Sequence, residues 1–184
     1  YLVAERNFAE QRRSLSSSNV KTKQSKSGFV WFEGNEITRT GKGKLKWPNG
    51  GVYEGDFVNG DRTGKGKYTF TSGDVYEGDY VNGDWTGKGK YTWASGNVYD
   101  GDWRDGERSG KGKYTWTDGS VYEGDFQNGI QTGWGKRTTA DGMVYVGEFI
   151  SGKPSGQGSL LDGVELIYQG DWYDGKPVNL KEYL

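Results

Sequence analysis

From Val52 the chain alternates apolar and polar residues with a period of two, as a strand with one covered and one wet face does. In "VYEGDFVNGDRTGKGKYTFTSGD" (residues 52–74), Tyr53 and Phe57 alternate with Glu54 and Asp56, and a second alternating run follows the dipeptide Asn59-Gly60. Asn-Gly is a strong signal for a two-residue hairpin turn, because a type I′ turn needs two residues that tolerate positive φ. That turn predicts Phe57 opposite Arg62, Gly55 opposite Gly64, Glu54 opposite Lys65 and Tyr53 opposite Gly66. One face then carries Tyr53, Gly55, Phe57, Gly64 and Gly66, and the other carries Glu54, Asp56, Lys65 and Lys67.

The unit recurs every 23 residues, as "VYEGDYVNGDWTGKGKYTWASGN" from Val75, "VYDGDWRDGERSGKGKYTWTDGS" from Val98, "VYEGDFQNGIQTGWGKRTTADGM" from Val121 and a more divergent copy from Val144. A truncated copy spans Phe29 to Gly51 and a half copy spans Ile167 to Lys176. A fixed period of this size marks a repeat array, in which each unit buries its face only against its neighbours. The glycines opposite the rings are read as sockets, since a ring can lie over a strand only where its neighbour has no Cβ.

The link between units obeys the same face rule. A two-residue turn at Ser72-Gly73 would oppose Phe70 and Val75 and mix the two faces. Looping out five residues, Thr71 to Val75, opposes Phe70 and Tyr76, Tyr68 and Gly78, Lys67 and Asp79, and Gly66 and Tyr80, with every face matched. Gly78 is thereby expected beneath the ring of Tyr68. The predicted fold is all-β: an elongated single-layer antiparallel β-hairpin meander, with short Asn-Gly-type turns on one edge and longer loops on the other. "YLVAERNFAEQRRSL" at the start and "VNLKEYL" at the end read as short terminal helices that cap the ribbon. The expected organisation is a basic leader and linker at 1–28, a repeat domain at 29–176 and a C-terminal cap at 177–184.

Composition sharpens this picture. The 33 glycines, 13 tyrosines and 8 tryptophans, with a mean hydropathy of -0.91, make packing a matter of rings against backbone rather than of branched aliphatics. With no cysteine and no histidine, disulfides, thiolate or imidazole metal ligands and histidine-activated nucleophiles are excluded. Net charge is -1, but residues 1–28 carry six Lys/Arg against two Glu and the remainder eighteen against twenty-three. A basic leader thus precedes a mildly acidic body. No apolar run is long enough to cross a bilayer. The chain starts at Tyr1 without a Met, as a fragment of a membrane-anchored or membrane-proximal protein would.

The units "YEGDFVNGDRTGKGKYTF" and "YEGDYVNGDWTGKGKYTW" resemble MORN (membrane occupation and recognition nexus) repeats, whose pattern is Tyr-Glu-Gly-acid-aromatic, a short spacer, Gly, then Gly-x-Gly and an aromatic strand. The resemblance covers Phe29 to about Lys176. It implies an elongated β-hairpin solenoid acting as a scaffold or adaptor, with a proposed membrane or phosphoinositide role, and it implies no catalysis and no cofactor. The chain departs from the pattern where Arg137 and Thr139 replace rings, where Trp134 takes a lysine position, and where Leu160 and Asp162 stand at ring positions. The aromatic face is therefore expected to change character toward the C-terminus.

Three chemistries compete for the repeated surface. A single-layer ribbon cannot bury both faces, so some rings should line a groove for an apolar or amphipathic segment of another protein. Tyr91, Trp93, Tyr114 and Trp116 lead the candidates, with Tyr68, Phe70, Tyr53, Tyr76, Tyr99 and Tyr122 completing the groove. Anionic lipid is the alternative ligand, taken by Arg6, Arg12, Arg13, Lys21, Lys23 and Lys26 of the leader. A glycan stacked on the aromatic stripe is a third. The acid and lysine comb reads as a solvated structural face, because acids that recur with a lysine across each strand pair do not form a singular active site. "GDRTGKG" lacks the spacing and the Ser/Thr of a phosphate loop, and lysines facing away from rings on an acidic body argue against nucleic acid. The strand edges at the two ribbon ends would allow end-to-end association of copies of the chain.

Overall fold

A computed structural model of the chain describes residues 29–35 and 39–179. The segments expected as an N-terminal helix and linker, and most of the expected C-terminal cap, lie outside the described residues. Fourteen strands, all antiparallel and each paired only with its sequence neighbours, form one sheet. They are β1 (Phe29–Asn35), β2 (Thr40–Lys46), β3 (Val52–Val58), β4 (Asp61–Thr69), β5 (Val75–Val81), β6 (Asp84–Thr92), β7 (Val98–Arg104), β8 (Glu107–Thr115), β9 (Val121–Gln127), β10 (Ile130–Thr138), β11 (Met143–Ile150), β12 (Lys153–Asp162), β13 (Glu165–Tyr173) and β14 (Lys176–Pro177). Among the described residues there is no helix.

The short turns are of the expected kind. Asn59 and Gly60 have φ of 53° and 91°, and the same pair of positive values recurs at Asn82-Gly83, Asp105-Gly106, Asn128-Gly129, Ser151-Gly152 and Asp174-Gly175. Phe57 faces Arg62, as the turn requires. Beyond that pair the expected register fails by two residues: Gly55 faces Gly66, Glu54 faces Lys67 and Tyr53 faces Tyr68. The cause is a bulge. Gly64 takes a left-handed φ of 58°, and the backbone N–H of Lys65, displaced from the ladder, donates to a carboxylate oxygen of Asp56 at 3.1 Å. The device repeats with Asp79 and Lys88, Asp102 and Lys111, Asp125 and Trp134, and Glu148 and Gln157. A two-residue insertion leaves the faces unchanged, which is why alternation alone could not reveal it.

The longer loop has the expected five residues but starts one earlier, at Phe70, so that Thr69 faces Val75, Tyr68 faces Tyr76, Lys67 faces Glu77 and Gly66 faces Gly78. Phe70 closes it from both sides: its N–H donates to the Asp74 carbonyl at 2.9 Å and its carbonyl accepts from the Gly73 N–H at 3.0 Å. Trp47, Trp93, Trp116 and Thr139 open the equivalent loops with the same bonds.

One face of the sheet holds the core. Among the described residues, the twelve buried apolar side chains are all aromatic: Tyr53, Phe57, Tyr76, Tyr80, Tyr99, Trp103, Tyr122, Phe126, Tyr145, Phe149, Tyr168 and Trp172. Each leading tyrosine from Tyr53 to Tyr145 lies along its own strand, over the glycine two residues on and that glycine's partner on the following strand, and Tyr168 lies over Gly170. A Cβ built on Gly78 would lie 2.6 Å from the Tyr76 hydroxyl and 2.5 Å from the Gly89 Cα. The ring above Gly78 is therefore Tyr76 of the same strand rather than Tyr68. From Tyr53 to Tyr145 the hydroxyl ends over the bulge, and Tyr53, Tyr76, Tyr99, Tyr122, Tyr145 and Tyr168 each donate to the carbonyl three residues ahead at 2.9–3.1 Å. Bulge, socket and hydroxyl form one unit, and the ring buries its polar tip without leaving it unpaired.

The opposite face carries the charged comb. Lys65 pairs with Asp79 at 2.6 Å, Lys88 with Asp102 at 2.5 Å, Lys111 with Asp125 at 2.6 Å and Lys113 with Glu123 at 3.0 Å. These pairs are largely exposed, so each contributes only tenths of a kcal/mol.

Candidate ligand groove on the aromatic face

The buried rings form a continuous floor along the ribbon. Tyr53 meets Phe57 and Tyr80 edge-on at 5.0 and 5.1 Å, Tyr76 meets Tyr80 and Trp103 at 5.3 and 5.2 Å, and Tyr99 meets Trp103 and Phe126 at 5.2 and 5.0 Å. The series continues through Tyr122, Phe149 and Tyr145 to Trp172. Each tyrosine thus touches an aromatic residue of its own strand and one of the next repeat, which couples the units.

A second belt of half-buried rings lies on this floor. It runs from Trp47 to Tyr68 (5.4 Å), Phe70 (4.5 Å), Tyr91 (5.8 Å), Trp93 (4.5 Å), Tyr114 (5.3 Å) and Trp116 (4.6 Å). The belt has a simple origin. Tyr68, Tyr91 and Tyr114 end the second strand of each hairpin on the aromatic face, and Phe70, Trp93 and Trp116 open the loops that follow. Two tethers between successive loops fix its spacing: an Asp74 carboxylate oxygen accepts from Ala94 N–H at 2.7 Å, and the Asn97 side-chain oxygen accepts from Thr117 N–H at 3.0 Å. The other Asp74 oxygen accepts from the Tyr91 hydroxyl at 3.0 Å. Burial first, and then that carboxylate, push the Tyr91 hydroxyl up to about 12. The Asp74 carboxyl is held below its ordinary range, chiefly by the Ala94 N–H.

The ten residues expected to line a groove therefore occupy two levels. Tyr53, Tyr76, Tyr99 and Tyr122 are wholly covered, each 0% exposed, and belong to the floor. Tyr68, Phe70, Tyr91, Trp93, Tyr114 and Trp116 are half-buried and belong to the upper belt. The six basic residues proposed for lipid, Arg6, Arg12, Arg13, Lys21, Lys23 and Lys26, lie outside the described residues.

Three further groups share the face, and sequence reasoning passed over them. Arg62 sits with its guanidinium carbon 5.5–5.9 Å from the ring centroids of Trp47, Tyr53, Tyr68 and Tyr80. Arg108 does the same toward Trp93, Tyr99, Tyr114 and Phe126 at 5.5–5.8 Å. Each also donates to the carbonyl of the next turn, Gly83 at 2.7 Å and Gly129 at 2.6 Å. Between them, Trp85 stacks flat on Tyr76, with centroids 4.3 Å apart and planes 9° apart. The signal for all three was present in the turn: the residue opposite Phe57, Tyr80 and Trp103 must lie on the aromatic face, and it is Arg62, Trp85 and Arg108. A shallow depression of about 320 Å³ opens here, lined by Arg62, Tyr68, Phe70, Gly83, Asp84, Trp85 and Gly106.

Toward the C-terminus the belt stops. Arg137 stands where Tyr68, Tyr91 and Tyr114 stood, its guanidinium 5.1 Å from the Trp116 ring centroid, and Leu160 follows in the next repeat. Trp134, at the lysine position, faces the opposite way and is 55% exposed on the charged side. Among the described residues no group of three or more acidic side chains is placed to hold a metal ion.

A family model described as MORN repeat matches residues 38–52, 53–75, 76–98, 99–121, 122–144, 145–162 and 168–178. No curated protein matches the chain. Among solved structures, the chain is similar to the SAS-4 (dCPAP) TCP domain of Drosophila melanogaster, solved in complex with a proline rich motif of Ana2 (dSTIL). That match has 13% identity over 81% of this chain and 90% of the other, with a TM-score of 0.45. It is also similar to the wild-type TCP10 domain of Danio rerio CPAP, at 15% identity over 72% of this chain and 68% of the other, with a TM-score of 0.37.

Proposed function

Because the chain belongs to the MORN repeat family, we propose that it is a non-enzymatic protein-binding scaffold whose upper aromatic belt receives an apolar or amphipathic segment of a partner protein. One observation carries the reading: a single-layer sheet keeps a complete buried floor of rings and still has a second belt of rings, from Trp47 to Trp116, left half-exposed on top. The floor meets the needs of folding. A further row of large rings, each holding apolar surface in contact with water, is the arrangement found where a partner docks, because aromatic and Arg side chains dominate binding energy at such sites. In this reading residues 29–176 are the binding body, 1–28 a basic leader and 177–184 a cap.

The test is a crosslinking affinity capture from the source lysate with the intact chain and with a Trp93→Ala, Trp116→Ala variant, read by mass spectrometry. A protein captured only by the intact chain is the expected result. Identical captures, or capture of lipid or polysaccharide alone, would overturn it.

A further inference from the structure

The two faces of the ribbon differ in charge as sharply as in apolar character. Among the described residues every ion pair is made by a lysine, and the lysines of β2, β4, β6 and β8 pair with acids of the following strand on the face away from the rings. On the aromatic face, the charged side chains of β3 to β10 are all arginines: Arg62, Arg108 and Arg137. None of the three has an ion-pair partner among the described residues. On the opposite face of the same strands, acids outnumber bases.

The arginines stand where a ligand on the belt would meet them. Arg108 lies 5.8 Å from the Trp93 ring centroid and 5.5 Å from that of Tyr114, and Arg137 lies 5.1 Å from that of Trp116. A guanidinium carries five N–H donors in a planar fork. Arg62 and Arg108 each give one to a turn carbonyl, and the buried Nε of Arg137 has no hydrogen-bond partner among the described residues. Asp74, the acid that reaches the belt, is already engaged by Tyr91 and Ala94. The belt therefore presents cations whose charge nothing on their own face balances.

The residue type matters. A guanidinium is more weakly hydrated than an ammonium and stacks on rings, so it loses less when a ligand covers it. An ion pair formed among half-buried rings is also screened less than the exposed pairs of the comb. A segment of negative charge is drawn to the aromatic face and repelled by the acids of the other, and a positive segment experiences the reverse.

Resting on the groove reading above, we propose that the belt receives an acidic segment of the partner protein. Its aromatic or aliphatic side chains lie against Trp93, Tyr114 and Trp116. Its carboxylates meet Arg108 beside Trp93 and Tyr114, Arg137 beside Trp116, and Arg62 toward the start of the belt.

The experiment selects a display library of random peptides, each of about fifteen residues, on the whole chain and sequences the enriched pool. Asp and Glu should rise at least about twofold over the starting library, together with aromatic and aliphatic residues. An enriched peptide is then synthesised and titrated by fluorescence anisotropy. Replacing its acids by Asn and Gln should weaken binding about tenfold at low salt and remove most of its salt dependence. That comparison alters only the peptide, so the fold of the protein does not enter. Arg108→Gln with Arg137→Gln should weaken the acidic peptide about as much and leave the neutral one unchanged. A neutral or basic pool, or equal affinity for the acidic and neutral peptides, would overturn the inference; if that binding is still abolished by Trp93→Ala with Trp116→Ala, the groove reading stands. Acidic peptides that bind the double tryptophan variant as well as the intact chain, or a library that yields no binder, would overturn both.

Discussion

At residues 52–120 the buried floor of Tyr53, Phe57, Tyr76, Tyr80, Tyr99 and Trp103 carries an upper belt of rings and two arginines; at residues 121–173 an equivalent floor of Tyr122, Phe126, Tyr145, Phe149, Tyr168 and Trp172 carries Arg137 and Leu160. The floor is present in both halves, and in each its tyrosines lie over the strand glycines. The belt is present in one half only, so folding does not require it. The floor is what the two halves share, and the proposed binding role falls on the belt they do not share.

The sharpest way to break that comparison is to truncate one ring at each level. Tyr99→Ala removes a wholly buried ring that fills the socket over Gly101 and Gly112, and should cost about 4 kcal/mol. Tyr114→Ala, on the upper belt, should cost about 1 kcal/mol. Chemical denaturation of both variants checks the ratio, and equal losses would dissolve the distinction. Gly78→Val should come next, at about 3 kcal/mol, because its Cβ would meet the Gly89 Cα, the Tyr76 hydroxyl and the Lys88 carbonyl within 2.7 Å, two of them backbone atoms that cannot step aside.

The register of this socket shows how far the sequence could be read. The period, the Asn-Gly turns and the two faces were all legible, because each depends on residue type and on alternation alone. The bulge at Gly64 was not, since a shift of two residues preserves every face and only the Asp56 carboxylate, bound to the Lys65 N–H, reveals it. Gly78 was expected under Tyr68 because the longer loop was placed one residue late, at Thr71 rather than Phe70, and it lies under Tyr76. At the groove, the ring positions could be listed from the repeat, but their division into floor and belt could not. Tyr76 and Tyr91 face each other across one strand pair, and only the direction of each side chain decides which is covered. Arg62 and Arg108 could have been found from the turn, which sets them opposite Phe57 and Trp103.

The tyrosines give a smaller effect with a defined sign. Burial raises the hydroxyls of Tyr53, Tyr76, Tyr99 and Tyr122 well above the ordinary tyrosine range, with the carboxylate three residues ahead adding to the effect, and brings Tyr145 to about 12. A group whose folded value is raised stabilises the fold below its unfolded value of about 10 and loses that stabilisation as pH climbs toward the folded value. Stability should therefore decline from about pH 10 upward, and ultraviolet titration should show these phenols ionising together with unfolding. At the acid end the sign reverses. Burial would raise the carboxyls of Asp79 and Asp102, but hydrogen bonds from Lys65 and Lys88 side chains and from the Lys88 and Lys111 N–H groups hold both below their ordinary range. Stability should hold down to about pH 4 and fall below it, and Asp102→Asn should flatten that fall.

The smallest effect belongs to the charged side. Trp134→Lys restores the comb residue at an exposed position, and thermal melting should move by no more than the equivalent of about 0.5 kcal/mol.

The most direct measurement of the central claim is hydroxyl-radical footprinting of the chain with and without the partner recovered by affinity capture. The account predicts that Phe70, Trp93 and Trp116 lose reactivity on binding, that Tyr53, Tyr76, Tyr99 and Tyr122 are unreactive in both states, and that Trp134 on the opposite face is unchanged. Protection of Trp134 with no change at Trp93 and Trp116 would place the partner on the charged face and contradict it.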